Sequence, residues 1–109
     1  MPLAAGLLPE AAVHVVLRGV VPMNCAYCGE QPGRTRDHLI KRAAARRRPE
    51  AAFHRRDGDL IVWACWACNV AIGTRCFVPE SHADRIADLE RWTGQRYAVW
   101  SREAMREVL

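Results

Sequence analysis

Two cysteine pairs, Cys25-Ala26-Tyr27-Cys28 and Cys65-Trp66-Ala67-Cys68, stand 36 residues apart in this 109-residue chain. Each C-x-x-C pair presents two thiolates to one ion from a tight turn. Two such turns complete the closed tetrahedral shell of a structural zinc. Between them runs the most basic part of the chain. Residues 34–56 hold nine of the sixteen lysines and arginines and only two acids, Asp37 and Glu50. The formal net charge is +4, but its placement says more, because the rest of the chain sets seven basic residues against ten acids. A local patch of this kind is expected of a surface that meets phosphates.

The fifth cysteine, Cys76, makes the count odd. That argues against a complete disulfide framework and for a reducing, cytoplasmic setting. Cys76 itself is expected to be a buried free thiol, since four cysteines satisfy one zinc. Met1 to Leu8 lacks the basic start of a signal peptide, and no stretch reaches the roughly 20 apolar residues that cross a bilayer. No membrane association is expected. With half of its residues hydrophobic, the chain is expected to form one domain over 1–109, whose modest core a metal staple would reinforce.

Working outward from the cysteines, Gly29 permits the tight turn after Cys28. Thr35 to Ile40 is compatible with a short strand carrying Asp37-His38 near its end. Ile40 to Arg48, rich in alanine and arginine, favours helix until Pro49. Asp57-Gly58-Asp59 reads as a turn, and Leu60 to Ala64 as a compact strand. Cys68 to Cys76 is expected to be the start of a helix. The order is knuckle, strand, basic segment, strand, knuckle, helix, which is an α+β arrangement. Pro9 and Gly19 bracket an N-terminal helix over about 9–18. Ser81 with Asp84 suggests a capping box for a helix over about 82–93, stopped by Gly94. Ser101 is placed to cap a last helix over about 101–108. Trp92, Tyr97 and Trp100 are expected to pack in the core or against a partner.

Asp37-His38 allows two readings. In one, the carboxylate binds a catalytic metal and the neighbouring imidazole removes a proton from water, which suits a group that titrates near neutrality. In the other, Asp37 caps a helix and His38 is incidental. Asn69, directly after Cys68, either offers an amide oxygen to a hard cation or caps the helix behind the knuckle. Lys41, Arg42, Arg46, Arg47, Arg48, Arg55 and Arg56 either contact phosphates or form a solvated face. His54 is placed to join them.

The combination resembles the HNH endonucleases. The residues that carry the likeness are Cys25-x-x-Cys28, Thr35-Arg36-Asp37-His38-Leu39-Ile40 and Cys65-x-x-Cys68-Asn69, across about residues 24–76. The resemblance implies a small zinc-stapled ββα-metal core, treble-clef-like, with flanking N- and C-terminal helices. It implies that Cys25, Cys28, Cys65 and Cys68 hold the structural zinc. Asp37 and Asn69 would bind a catalytic Mg²⁺ or Mn²⁺, and His38 would be the general base. The implied substrate is DNA, cut to leave 5′-phosphate and 3′-hydroxyl ends, by a chain acting in a homodimer or larger complex. Three positions depart from the family pattern: Lys41 where many members have Pro, Asp59 as the nearest counterpart of an Asn, and Ile72 where many have Lys. Other readings are a zinc-dependent nucleic-acid-binding module without activity and a treble-clef protein-interaction module.

Overall fold

The computed structural model describes residues 23–108. The helix expected over about 9–18, with His14, lies outside them. The centre of the described fold is a two-stranded antiparallel sheet. β1 (Thr35–His38) pairs with β2 (Ile61–Ala64) in the register Thr35 to Ala64 and His38 to Ile61. Side chains alternate across the pleat. Val62 and Ala64 therefore enter the core while Trp63 faces out. Asp37 lies opposite Val62 and is drawn to the same buried side, at 3% exposure. A carboxylate there must find hydrogen-bond donors.

The first cysteine turn precedes β1 and is tied to β2. The Ala26 N–H donates to the Trp63 carbonyl at 2.9 Å, and the Gly29 N–H to the Cys25 carbonyl at 2.9 Å. Gly29 takes a φ of 72°, where a side chain would also strike the Arg102 guanidinium. The second cysteine turn leads directly from β2 into a helix.

Between the strands lies an insert with two short helices, α1 (Arg42–Arg47) and α2 (Pro49–His54). Pro49 does end a helix, as the sequence suggests, but it also starts one. Arg48 is extended, and the proline occupies the first position of α2, where its missing N–H costs nothing. Ala44 and Ala51 face inward, and their small size lets both helices sit close to the core. Leu39, Ile40 and Leu60, all fully buried, anchor the two ends of the insert. The charged side chains are left on its outer faces.

α3 (Trp66–Ile72) begins two residues earlier than the sequence suggested, because Cys65 acts as its cap: the sulfur accepts the Cys68 N–H. Cys68 and Ile72 are one helical turn apart and both buried. This ββα unit is followed by a second layer. β3 (Phe77–Val78) and β4 (Ala98–Val99) pair in parallel, which requires a crossover, and α4 (Ile86–Thr93) supplies it. The helix expected from residue 82 starts at Ile86. Residues Glu80–Arg85 form tighter 3₁₀ turns with a break at His82, and Ser81 bonds His82 in place of a capping box. Gly94 ends α4 in the left-handed region, as expected of a glycine stop. α5 (Arg102–Val108) is capped by the Ser101 hydroxyl, which accepts the Ala104 N–H at 3.1 Å.

The second layer closes on the first through apolar packing, an exposed Arg106–Glu30 ion pair at 3.4 Å and a buried long-range hydrogen bond. Tyr97 donates its hydroxyl to the Leu39 carbonyl at 2.8 Å. Tyr97 and Trp100 are nearly buried, and Trp92 stacks on His54 with 3.7 Å between ring centroids. Cys76 is half-buried and donates to Gln95 at 3.2 Å. The molecule is thus a small α+β fold built around a four-cysteine cluster. No helix among the described residues is long and apolar enough to cross a membrane.

Candidate metal centre and basic cleft

The two cysteine turns bring all four sulfurs within 4.8 Å of one another, and all four residues are buried. A tetrahedral ion with bonds of about 2.3 Å to sulfur holds its ligands about 3.8 Å apart. The Cys28 and Cys65 sulfurs are 4.0 Å apart, which fits. Backbone N–H groups point at the sulfurs: Tyr27 at Cys25 and Cys68 at Cys65, both at 3.4 Å. Burial raises the Cys65 thiol, and burial together with the neighbouring Cys65 and Cys25 raises Cys68. Burial acts the same way on Cys25, but N–H groups of Cys65, Cys28 and Tyr27 more than offset it and bring that thiol down to about 7. Burial thus works against thiolates at Cys65 and Cys68, a cost that a divalent ion would offset, and the four gathered sulfurs can hold a metal ion such as zinc.

Tyr27 links this cluster to the second site. It lies inside the first cysteine turn, is fully buried, and donates its hydroxyl to Asp37 Oδ2. Burial and then the Asp37 charge raise the phenol's pKa, so it remains a donor throughout the physiological range. The other carboxylate oxygen is also taken. Lys41 Nζ stands 2.8 Å from Asp37 Oδ1, with only 12% of the lysine side chain exposed. The i, i+4 spacing of this pair spans the junction between β1 and α1 rather than a helix.

Asp37 and Lys41 open into a cleft of about 330 Å³ that also holds His38, Asn69, Arg36, Arg42, Arg46 and Arg55. The strand β1 supplies Asp37 and His38, α3 supplies Asn69, and the insert supplies most of the cations. Asn69 sits inside α3, so it does not cap that helix. Its amide nitrogen donates to the Thr35 hydroxyl at 2.9 Å, which fixes the orientation of the group. Its amide oxygen has no donor among the described residues. Asp37 and Asn69 thus line one cleft from different elements, and oxygen donors of this kind suit a hard divalent cation.

His38 is half-buried. Burial lowers its pKa from the ordinary 6.5, Arg55 and Arg36 lower it further, and Asp37 only partly opposes them. The shift favours the neutral imidazole, whose lone pair is able to accept a proton. Burial lowers Arg55 too, with the Arg42 and Arg56 charges adding to it, which shows how closely the cations crowd. Arg36, Arg42, Arg46 and Arg55 have no carboxylate within ion-pair distance among the described residues. Arg55 is steadied instead by donating to the Ile40 carbonyl at 3.1 Å.

The fold divides the basic residues singled out from the sequence. Lys41, Arg42, Arg46 and Arg55 line the cleft; Arg47, Arg48 and Arg56 do not. The Arg48 guanidinium lies over Gly94, at the end of α4. His54 is held against Trp92 and is likewise absent from the cleft. Two residues escaped sequence reasoning. Arg36 lines the cleft, and its place beside Asp37 was the available signal. Tyr27 was hidden inside the cysteine motif, where only the fold shows its bond to Asp37 ten residues away. Of the departures from the HNH pattern, Asp59 is exposed and does not reach the cleft, and Ile72 is fully buried. A larger cavity of about 910 Å³ lies beside Cys28, Glu30, Gln31, Arg34, Cys65 and Trp66; it has an acid and an amide in its lining but no histidine.

No protein-family model, curated protein or solved structure matches the chain.

Proposed function

We propose that this protein is a metal-dependent endonuclease of the HNH type that hydrolyses DNA phosphodiester bonds. The observation that carries the reading is the cleft itself. Adjacent Asp37 and His38 of β1 meet the Asn that follows the second cysteine pair, among four arginines that have no acidic partners among the described residues. Unpaired cations around an acid and a neutral imidazole suit a phosphodiester better than an acidic or apolar ligand.

In this reading the ion of the four-cysteine cluster is a structural zinc. It closes both turns, holds α3 against β1 and β2, and takes no part in the reaction. Arg36, Arg42 and Arg46 seat the DNA backbone and position it without reading sequence. His38, kept neutral by burial and by Arg55 and Arg36, accepts the proton of the attacking water. Tyr27 fixes the carboxylate of Asp37, and Thr35 fixes the amide of Asn69. Asp37 and Asn69 would hold a Mg²⁺ or Mn²⁺ ion, which when bound stabilises the charge that builds on the phosphate and the leaving oxygen.

A plasmid-nicking assay with Mg²⁺ or Mn²⁺, comparing the wild type with His38→Ala, tests the proposal. Cleavage by the wild type and its loss in the variant are expected. Equal cleavage by both removes His38 from the mechanism, and no cleavage by the wild type with either ion removes the nuclease reading. One observation favours a second reading, a nucleic-acid-binding module without activity. Lys41 already stands on Asp37 with a positive charge. That reading predicts salt-sensitive DNA binding with no product under any metal.

A further inference from the structure

The carboxylate that the cleft offers to a cation is already engaged by two donors, and they differ in kind. Tyr27 is fully buried, lies in the cysteine turn and holds Oδ2. It has no route out of the fold. Lys41 holds Oδ1 at 2.8 Å from the end of a flexible side chain that lines the open cleft. It lies at the edge of the insert, just before α1, and its ammonium makes no other hydrogen bond among the described residues. That ammonium has the same sign as a divalent ion and stands on an oxygen such an ion would need. Two cations cannot share that oxygen at bonding distance without strong repulsion.

We propose that Lys41 is a resident ammonium on Asp37 that a divalent cation must displace, so that the protein without DNA binds such ions weakly. This rests on the proposed cation site at Asp37 and Asn69. A phosphodiester entering the cleft gives the displaced ammonium an anionic partner, because Lys41, Arg42 and Arg46 border the same space. DNA therefore favours loading of the cation, and by reciprocity the cation favours DNA. Lys41 thus acts through Asp37: it sets the order in which substrate and ion assemble. The arrangement also keeps a buried carboxylate paired in the unloaded protein, which an unoccupied site would not do.

The test is binding of Mn²⁺, followed by its paramagnetic effect on water-proton relaxation, to zinc-loaded protein in the absence of DNA. Lys41→Met and Lys41→Gln are compared with the wild type. Lys41→Gln keeps a neutral donor near Asp37, so it remains informative where Lys41→Met disturbs the fold. Losing a charge-assisted bond of this kind should tighten Mn²⁺ binding about tenfold to a hundredfold. Adding an uncleaved duplex should tighten binding to the wild type and have much less effect on Lys41→Gln. Asp37→Asn in the Lys41→Gln background should abolish the gain, which locates the ion. If folded Lys41→Gln binds Mn²⁺ no better than a wild type that itself binds at Asp37, the displacement proposal fails while the cation site stands. If neither protein binds Mn²⁺ with or without duplex, the cation site fails and the proposal with it.

Discussion

The four-cysteine cluster and the Asp37 cleft are joined by one phenol, yet they are built on opposite principles. The cluster turns every ligand inward, buries all four and surrounds them with backbone N–H groups. The cleft leaves four arginines facing an open space, with no acid among the described residues to meet them. A site closed to water can contribute fully to folding, because nothing else competes for its ligands. A site that must admit a ligand keeps charges unpaired, and neighbouring elements must hold it together. Removing a part of the first should therefore unfold the protein, and removing a part of the second should chiefly remove function.

Cys25→Ser and Cys68→Ser should show the largest effects. The binding energy of a structural zinc is folding energy, on the order of 10 kcal/mol. Truncating one buried leucine such as Leu60 costs only about 2–5 kcal/mol. Circular dichroism and elemental analysis should show a largely unfolded, zinc-poor protein. A folded Cys68→Ser chain that still carries zinc would break the distinction on the cluster side.

His38→Ala probes the other side. It should leave zinc content, melting temperature and DNA affinity nearly unchanged while reducing the cleavage rate by a factor of about 100 to 10,000. If this variant loses its fold along with its activity, the cleft is no separate functional layer. Asp37→Ala is harsher, because it strands the Lys41 ammonium and removes the acceptor of Tyr27. It should abolish cleavage and also lower thermal stability.

The arginines divide the cleft from its surroundings more finely. Replacing Arg36, Arg42 and Arg46 by alanine should weaken binding to unrelated duplexes alike. The slope of log affinity against log salt should flatten by about one unit for each phosphate that is no longer neutralised. Replacing Arg47 and Arg56, which lie outside the cleft, should change the slope by much less. Equal effects from the two sets, in titrations at several salt concentrations, would mean that the whole basic face binds and the cleft has no privilege.

The smallest expected effect is on pH dependence. His38 has its pKa depressed below 6.5, and a general base must be neutral. The midpoint of the acid limb of the cleavage rate should therefore lie below pH 6.5. The same shift affects stability. Below 6.5 and down to the lowered value, the unfolded chain binds more protons at His38 than the folded one, so stability rises with pH across that window. Arg36→Ala removes one source of the depression and should move the acid limb of the rate profile upward. An unmoved limb would separate that limb from His38.

The cysteine cluster was legible because its information is local: each C-x-x-C pair is its own turn, and only the joining of the two turns is long-range. Gly94 and Ser101 were legible for the same reason, each acting on the backbone within a few residues. Pro49 was only half legible, since a proline that stops one helix is equally suited to begin the next. β3 and β4 left no readable trace, because two-residue strands in parallel have no period and depend on partners about twenty residues apart. In the cleft, the sequence suggested Asp37, His38, Asn69 and a basic segment. It could not sort that segment, because whether Arg46 or Arg47 faces the cleft depends on how α1 is seated on Ala44. Nor could it show that Tyr27 and Lys41 each take one oxygen of Asp37, since those bonds belong to the fold rather than to any motif.

The insert leaves and rejoins the sheet at almost one point. Leu39 donates its N–H to the Leu60 carbonyl at 3.0 Å, next to the last strand pair, His38 with Ile61. The segment between those residues starts and ends at a closed neck, and its inner face is seated on the core through Ala44 and Ala51. The outward-facing positions of residues 42–54, away from Ala44, Ala51 and His54, are therefore where charge can be rewritten while the strands stay in register. A family of graded variants could be made there, differing in grip on a polyanion and alike in frame, in the way exchangeable jaws fit one handle.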